Sequence, residues 1–477
     1  MKNNYQSTEK KAIKAGLGYT IGNILVKGIS FLSLPIFARL LTVSDYGIVN
    51  TFNAYTSILF VIIGFALHAS IRNAKIDYPG RLAEYCSSVT VLPIINAILL
   101  LVVALAFSGR LAGLMKLESS VLVPLLIVSS FGMMLVTFYN GVLSADYRSG
   151  EYISLALAYA IVDLGLSIFF ILCVFREQAF YGRIMGTVIA SAGISVFILI
   201  RLFSAAKPKI NAEFWKYGLK ISLPIVPHGL SQIVLAQFDR LMIQGIIGSF
   251  EAGMYSFAYN VGIIYQVIAS SLDTAWSQWF FDRMEQGEES KIRKTANIYA
   301  LLMAVAAIGL MLISPELITL LGGKKYADSR AVAIPIVLAM FYAFMYYFPA
   351  AIEYYYKKTK YIAIGTMSAA VLNIVLNALF IRKYGYVAAA YTTVACYLAY
   401  YVFHVVLSTR VHGSTLYDMK IHGALTLAVT GLTFLILAAL DRIWIRYGIV
   451  ALILAAAVAV GLRNKEKVAE AWKEFRK

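Results

Sequence analysis

Apolar runs of about 18 to 28 residues recur along the whole chain, separated by short polar connections, and a helix needs roughly 20 such residues to cross a hydrocarbon core. None of the runs alternates polar and apolar positions in segments of about ten residues, which excludes a membrane β-barrel. The pattern predicts fourteen transmembrane helices near 15–38, 46–69, 85–108, 119–143, 152–175, 182–203, 218–245, 253–280, 296–320, 331–355, 361–381, 386–409, 422–440 and 445–462. No linker is long enough to separate soluble domains, so the expected fold class is all-α integral membrane.

The polar positions inside these runs are arranged as stripes. At about 100° per residue, Tyr19, Asn23, Lys27 and Ser30 of helix 1 share one face. Asn50, Asn53, Ser57 and His68 share a face of helix 2, and Tyr259, Gln266, Ser270, Asp273 and Ser277 share one of helix 8. Helix 7 carries two faces, one with His228, Ser231, Gln232 and Asp239, the other with Gln237, Arg240 and Gln244. Pro224 and Pro227 should bend it near one end. Helices 1, 2, 7 and 8 are therefore expected to line one cavity.

A repeat supports that grouping. SDYGIVNTFNAY at 44–55 matches FEAGMYSFAYNV at 250–261 in placing an acid two residues before a glycine at a helix start. At an offset of 210, VDLGLSIFFI at 162–171 lies over LNIVLNALFI at 372–381, pairing Asp163 with Asn373 and Ser167 with Asn377. Six crossings return the chain to its starting side, so the two halves form a parallel pseudo-twofold repeat. The expected domains are a six-helix bundle over 1–210, a second over 211–412, and over 413–477 two peripheral helices with a basic cytoplasmic tail.

Composition agrees: 60% of the 477 residues are hydrophobic, 14% are charged, and the mean hydropathy is +0.74, outside the range of soluble chains. The formal net charge of +17 suggests nucleic acid until the basic residues are located. With the N-terminus inside, the cytoplasmic connections hold 28 Lys and Arg and the outer ones 11, leaving Lys27, Arg39 and Arg240 within spans or at their ends. That is a positive-inside distribution with both termini cytoplasmic, and nucleic acid is not an expected partner. Cys86, Cys173 and Cys396 fall in apolar segments without metal-ligand spacing and read as unpaired buried residues. The basic N-terminus precedes a retained helix rather than a cleaved signal.

Charged groups inside the membrane cost roughly 2.5–3.5 kcal/mol each, so they face a cavity or a partner. Lys27 has no acid one turn away in its own helix, Arg240 stands in helix 7, and Arg39 and Arg72 lie near helix ends where they can also snorkel. Asp163, Asp239 and Asp273 are candidates for coupling to H+ or Na+, with Glu353 a further buried acid; pairing with a neighbouring cation is the alternative for each. No phosphate-cradling loop, HExxH or nucleotide-binding domain is present, so no cofactor and no enzymatic activity are expected.

The runs LPIFARLLTVSDYG at 34–47, ISLPIVPHGLSQIVLAQFDRLMIQGIIGSFEAGMYSFAYNV at 221–261 and LGGKKYADS at 321–329 resemble the bacterial polysaccharide exporters, or O-antigen-type flippases, of the multidrug/oligosaccharidyl-lipid/polysaccharide exporter superfamily. The resemblance covers nearly the whole chain. It implies two six-helix bundles in a V that alternate access, turning an undecaprenyl-diphosphate-linked oligosaccharide from the inner to the outer leaflet of the bacterial cytoplasmic membrane. Lys27 and Arg240 would match the diphosphate, with Asn23, Asn53, Arg72 and Gln266 completing the substrate site. Expected partners are that lipid-linked oligosaccharide, membrane lipid, and a polysaccharide polymerase or assembly complex. The alternatives are a peptidoglycan-precursor flippase and a multidrug/cation antiporter of the same superfamily.

Overall fold

The computed structural model describes residues 2–449 and 451–452, with side chains from residue 18 onward apart from 20, 21, 23 and 450. Helices follow one another as α1 (Lys2–Leu40), α2 (Val43–Gly64), α3 (Ile71–Asp77), α4 (Leu82–Ala106), α5 (Ser108–Met115), α6 (Leu122–Ala145), α7 (Ser149–Phe169), α8 (Ala179–Ala205) and α9 (Ala212–Ser222). They continue as α10 (Val226–Ile246), α11 (Ser249–Glu285), α12 (Glu289–Gly322), α13 (Arg330–Met345), α14 (Tyr347–Tyr355), α15 (Thr359–Tyr384), α16 (Val387–His412) and α17 (Met419–Ala438). Among the described residues there is no strand, and eleven helical segments are long and apolar enough to cross a membrane. The molecule is a multi-pass membrane protein. The last expected span, 445–462, lies largely outside the described residues.

Local sequence explains where helices start and stop. Thr42 and Asp45 form a capping box at the start of α2: the Thr42 hydroxyl accepts from the Asp45 N–H at 3.0 Å and the Asp45 carboxylate accepts from the Thr42 N–H at 3.0 Å. Helix 7 is interrupted as its prolines predict, with a 3-10 turn at Leu223–Ile225 between α9 and α10. Helix 2 ends earlier than expected. Phe65 and Ala66 adopt left-handed conformations (φ 49° and 54°), α2 stops at Gly64, and a 3-10 turn carries His68. Two left-handed residues reset the angular register, so His68 does not continue the stripe of Asn50, Asn53 and Ser57.

The contacts divide the chain into two compact units. The first comprises Met1–Ser256, Leu321–Lys325 and Thr366–Ala389. Here α7 packs on α8, α6 on α2 and α8, α1 on α7, and α2 on α10. Its core centres on Leu67, Ile71, Tyr85, Leu135, Phe138 and Leu143, all essentially inaccessible. Large apolar side chains such as Ile98, Leu99 and Val102 of α4 point outward, as a lipid solvent requires.

The second unit comprises Phe257–Leu320, Tyr326–Gly365 and Ala390–Lys477. Its centre is α13, buried on almost every face. α17 packs on α13, with the Tyr342 and Thr430 hydroxyls 2.6 Å apart, so this expected peripheral helix is tied into the unit. Beyond α17, Arg446 is 4% exposed and forms a two-pronged ion pair with Glu316 of α12 at 2.7 and 2.8 Å. Glu353 and His404 form a fully buried pair at 2.7 Å. All three thiols are free, but Cys173, in the π-turn Phe170–Val174 that ends helix 5, is exposed rather than buried.

Candidate functional site

A short piece of each of the three sequence runs that carry the family resemblance, residues 41–47, residues 249–253 and Lys325, comes together in the first unit. The chain leaves α1 at Leu41 and enters α2 through the Thr42–Asp45 cap. Lys325, from the LGGKKYADS run, donates its ammonium to the Leu41 carbonyl at 2.6 Å. There it also offsets the negative end of the α1 dipole. Gly47 of α2 faces the first turn of α11 so closely that a β-carbon on it would overlap the Ser249 carbonyl oxygen and lie 2.8 Å from the Gly253 nitrogen. A β-carbon on Gly253 would in turn overlap the Val43 carbonyl oxygen. These are the two glycines that the repeat aligns, and they close this end by backbone against backbone.

A second cluster surrounds Asp239 on α10. Its carboxylate is 1% exposed and accepts from the Tyr255 hydroxyl at 2.6 Å and from the Asn377 amide at 2.6 Å. The Asn377 amide also donates to the Asn373 side-chain oxygen at 3.1 Å, and both asparagines are fully buried. One carboxylate and two amide groups thus converge with a phenol in a space closed to water. Turning the amides would present only oxygens, the donor set that a hard monovalent cation takes.

Asp163, the repeat partner of Asn373, is differently engaged. Arg183 donates to it at 2.8 Å and also to Ser167 and Thr187, so Asp163 belongs to a built-in ion pair rather than an open cation site. Pairing with a neighbouring cation is thus realised at Asp163, and α8 supplies the partner. Asp273 is half-buried with Ser277 at 3.4 Å.

Of the expected cargo residues, Lys27, Arg72, Asn53 and Gln266 are exposed. Arg72 stands on the short α3, outside the spans. None of the ion pairs among the described residues involves Lys27. The side chain of Asn23 lies outside the described residues. Arg240 departs from expectation: it is 5% exposed, folded back onto the Ala236 carbonyl at 2.9 Å and the Gln237 side chain, so it is closed to a cargo in this state. Tyr19 leaves the helix 1 stripe as well, donating to the Leu143 carbonyl at 3.1 Å and packing edge-on against Tyr152.

The reading from sequence missed Tyr255 as a site residue and used Asn373 and Asn377 only to establish the repeat. The signal of the two asparagines was present there: polar residues held one turn apart in an otherwise apolar helix.

Comparison with known proteins decides the family. The family described as polysaccharide biosynthesis protein matches residues 13–284, more than half of the chain. The chain belongs to that family. This polysaccharide biosynthesis protein is 24% identical over 389 residues to the "probable low-salt glycan biosynthesis flippase" of Haloferax volcanii, with 80% of each chain covered. In fold it is similar to the lipid II flippase MurJ in an inward closed conformation, with a TM-score of 0.75 and 14% identity over 94% of this chain and 99% of that one. An inward-facing multidrug resistance transporter of the MATE family is also similar, with a TM-score of 0.56 and 16% identity over 81% and 99%. These relatives are named as two flippases and a transporter, and the likeness to the two solved structures is one of fold.

Proposed function

We propose that this polysaccharide biosynthesis protein carries an undecaprenyl-diphosphate-linked oligosaccharide from the inner to the outer leaflet of the bacterial cytoplasmic membrane by alternating access. The observation that carries the reading is the seal at Gly47 and Gly253. It joins two repeat-related helix starts by bare backbone, so the glycine contact itself parts without breaking a side-chain hydrogen bond. The family and the glycan flippase of Haloferax volcanii support a glycan cargo. In this reading the chain makes fourteen crossings as two repeat-related bundles and a final helix pair, with both termini cytoplasmic. Gly47 and Gly253 then lie at the outer mouth, and Lys27, exposed on α1, meets the cargo's diphosphate.

Coupling to H+ or Na+ is assigned to Asp239. A buried carboxylate held by a phenol and two amides changes its interactions whenever a cation enters or leaves, which gives the cycle a direction. A second reading, transport of a peptidoglycan precursor, draws on the likeness to MurJ. At 14% identity that likeness extends to the fold alone.

Reconstitution in vesicles separates the readings. Fluorescent undecaprenyl-diphosphate oligosaccharide placed in one leaflet should cross only in vesicles containing the protein, and faster with an imposed Na+ or H+ gradient. Transfer of a peptidoglycan precursor but not of an oligosaccharide would select the second reading, and indifference to both gradients would remove the coupling.

A further inference from the structure

We infer that the first unit binds one anionic phospholipid in a pocket at the membrane end of α4, α6, α7 and α8, away from the Gly47 seal. A cavity of about 450 Å3 lies there, with Lys75, Asp146, Arg148 and Arg201 at its rim and Leu82, Cys86 and Val142 in its floor. The charges at the rim do not balance. Lys75 pairs with Asp146 at 2.9 Å, but Arg148 and Arg201 share one acid, Glu151, at 2.5 and 3.2 Å. Three cations against two carboxylates leave one positive charge beside an apolar floor, and a monoanionic headgroup would complete it.

A second cavity of about 400 Å3 adjoins the first, sharing Tyr139 and Arg201. It runs between α7 and α8 along Leu155 and Ala158 on one side and Ile194 and Phe197 on the other. From Ile194 to Arg201 the helix rises about 10 Å, the depth taken by the upper part of an acyl chain. A charged cavity at the end of the helices that continues into an apolar groove along them has the two-part shape of a phospholipid. Trp215 of α9, whose indole donates to the Ser88 carbonyl at 2.9 Å, and the part-exposed rings of Tyr78 and Tyr217 gather at the same end. Aromatic rings of this kind mark the headgroup level of a bilayer. In the orientation proposed above this is the cytoplasmic leaflet, where basic pockets between helices recruit anionic lipid.

The test uses the full chain purified in detergent, with palmitoyl-oleoyl phosphatidylglycerol, the matching phosphatidylcholine, and undecaprenyl phosphate as probes. Native mass spectrometry should retain phosphatidylglycerol in preference to phosphatidylcholine. Arg201→Gln leaves the Arg148–Glu151 pair intact and should weaken that retention about five-fold, the worth of one basic residue at a charged surface. Ala158→Trp fills the exposed groove without touching a charge and should reduce retention as strongly. Equal retention of the two phospholipids, or wild-type retention by both variants, overturns the proposal. So does displacement of phosphatidylglycerol by an equal amount of undecaprenyl phosphate, which would give the pocket to the carrier lipid.

Discussion

Gly47 and Gly253 stand where the first turns of α2 and α11 touch, with no room for a β-carbon on either residue. A helix pair this close is held by backbone contact, which in membranes is the usual work of small residues. Glycine puts no side chain into the contact, so the contact itself holds no side-chain hydrogen bond that separation would break. A mouth that must open and close in each cycle needs that combination.

Gly47→Ala should therefore prevent closure while leaving the fold intact, since the helices need only stay apart. Spin labels at the starts of α2 and α11 should report a longer mean distance than in the parent protein. Transport should fall by at least ten-fold. An unchanged distance distribution would mean that the seal tolerates a methyl group and does not act as a gate.

Asp239→Asn removes the charge that Tyr255 and Asn377 surround. The variant should fold, because an uncharged amide is cheaper to bury than a carboxylate, and its transport should no longer respond to an ion gradient. Tyr255→Phe removes one hydrogen bond to a charged acceptor and should cost about 1–2 kcal/mol of stability while retaining the response. Gradient-stimulated transport by Asp239→Asn at the parental rate would exclude this site.

Lys27→Ala relieves an insertion cost of roughly 2.5–3.5 kcal/mol, so expression and thermal stability should be preserved. Complementation should nevertheless be lost, and Lys27→Arg should restore part of it, since the charge remains but the compact ammonium becomes a planar fork. A lowered unfolding temperature in Lys27→Ala would point to a structural partner instead, and full complementation would remove Lys27 from the site.

Glu316→Gln strips the buried Arg446 of its carboxylate partner. The unfolding temperature should drop, with a cost of up to about 3 kcal/mol, at the lower end for a broken buried pair because Glu316 keeps a third of its exposure. Transport should continue in the variant at low temperature. A stability equal to the parent's would show that the pair does not anchor the segment after α17.

Much of this molecule was readable from the order of its residues. Membrane helices follow from the length of apolar runs, because the hydrocarbon core sets one length scale and penalises every unpaired backbone group. The break at Pro224 and Pro227 is a covalent consequence of proline, and the family could be recognised from runs that lie near helix ends. Tertiary packing decided the rest. A helical wheel shows which polar residues share a face but not what that face meets. Asp163 and Asp239 looked alike along the chain until α8 supplied Arg183 to one, and α11 and α15 supplied Tyr255 and Asn377 to the other. Arg240 and Lys27 are both single cations in apolar helices, yet one is enclosed and the other exposed. The reason is distance along the chain: Asp239 and Asn377 are 138 residues apart, and their meeting depends on how whole helices pack. Hydropathy and periodicity describe one helix at a time and carry no information about that packing.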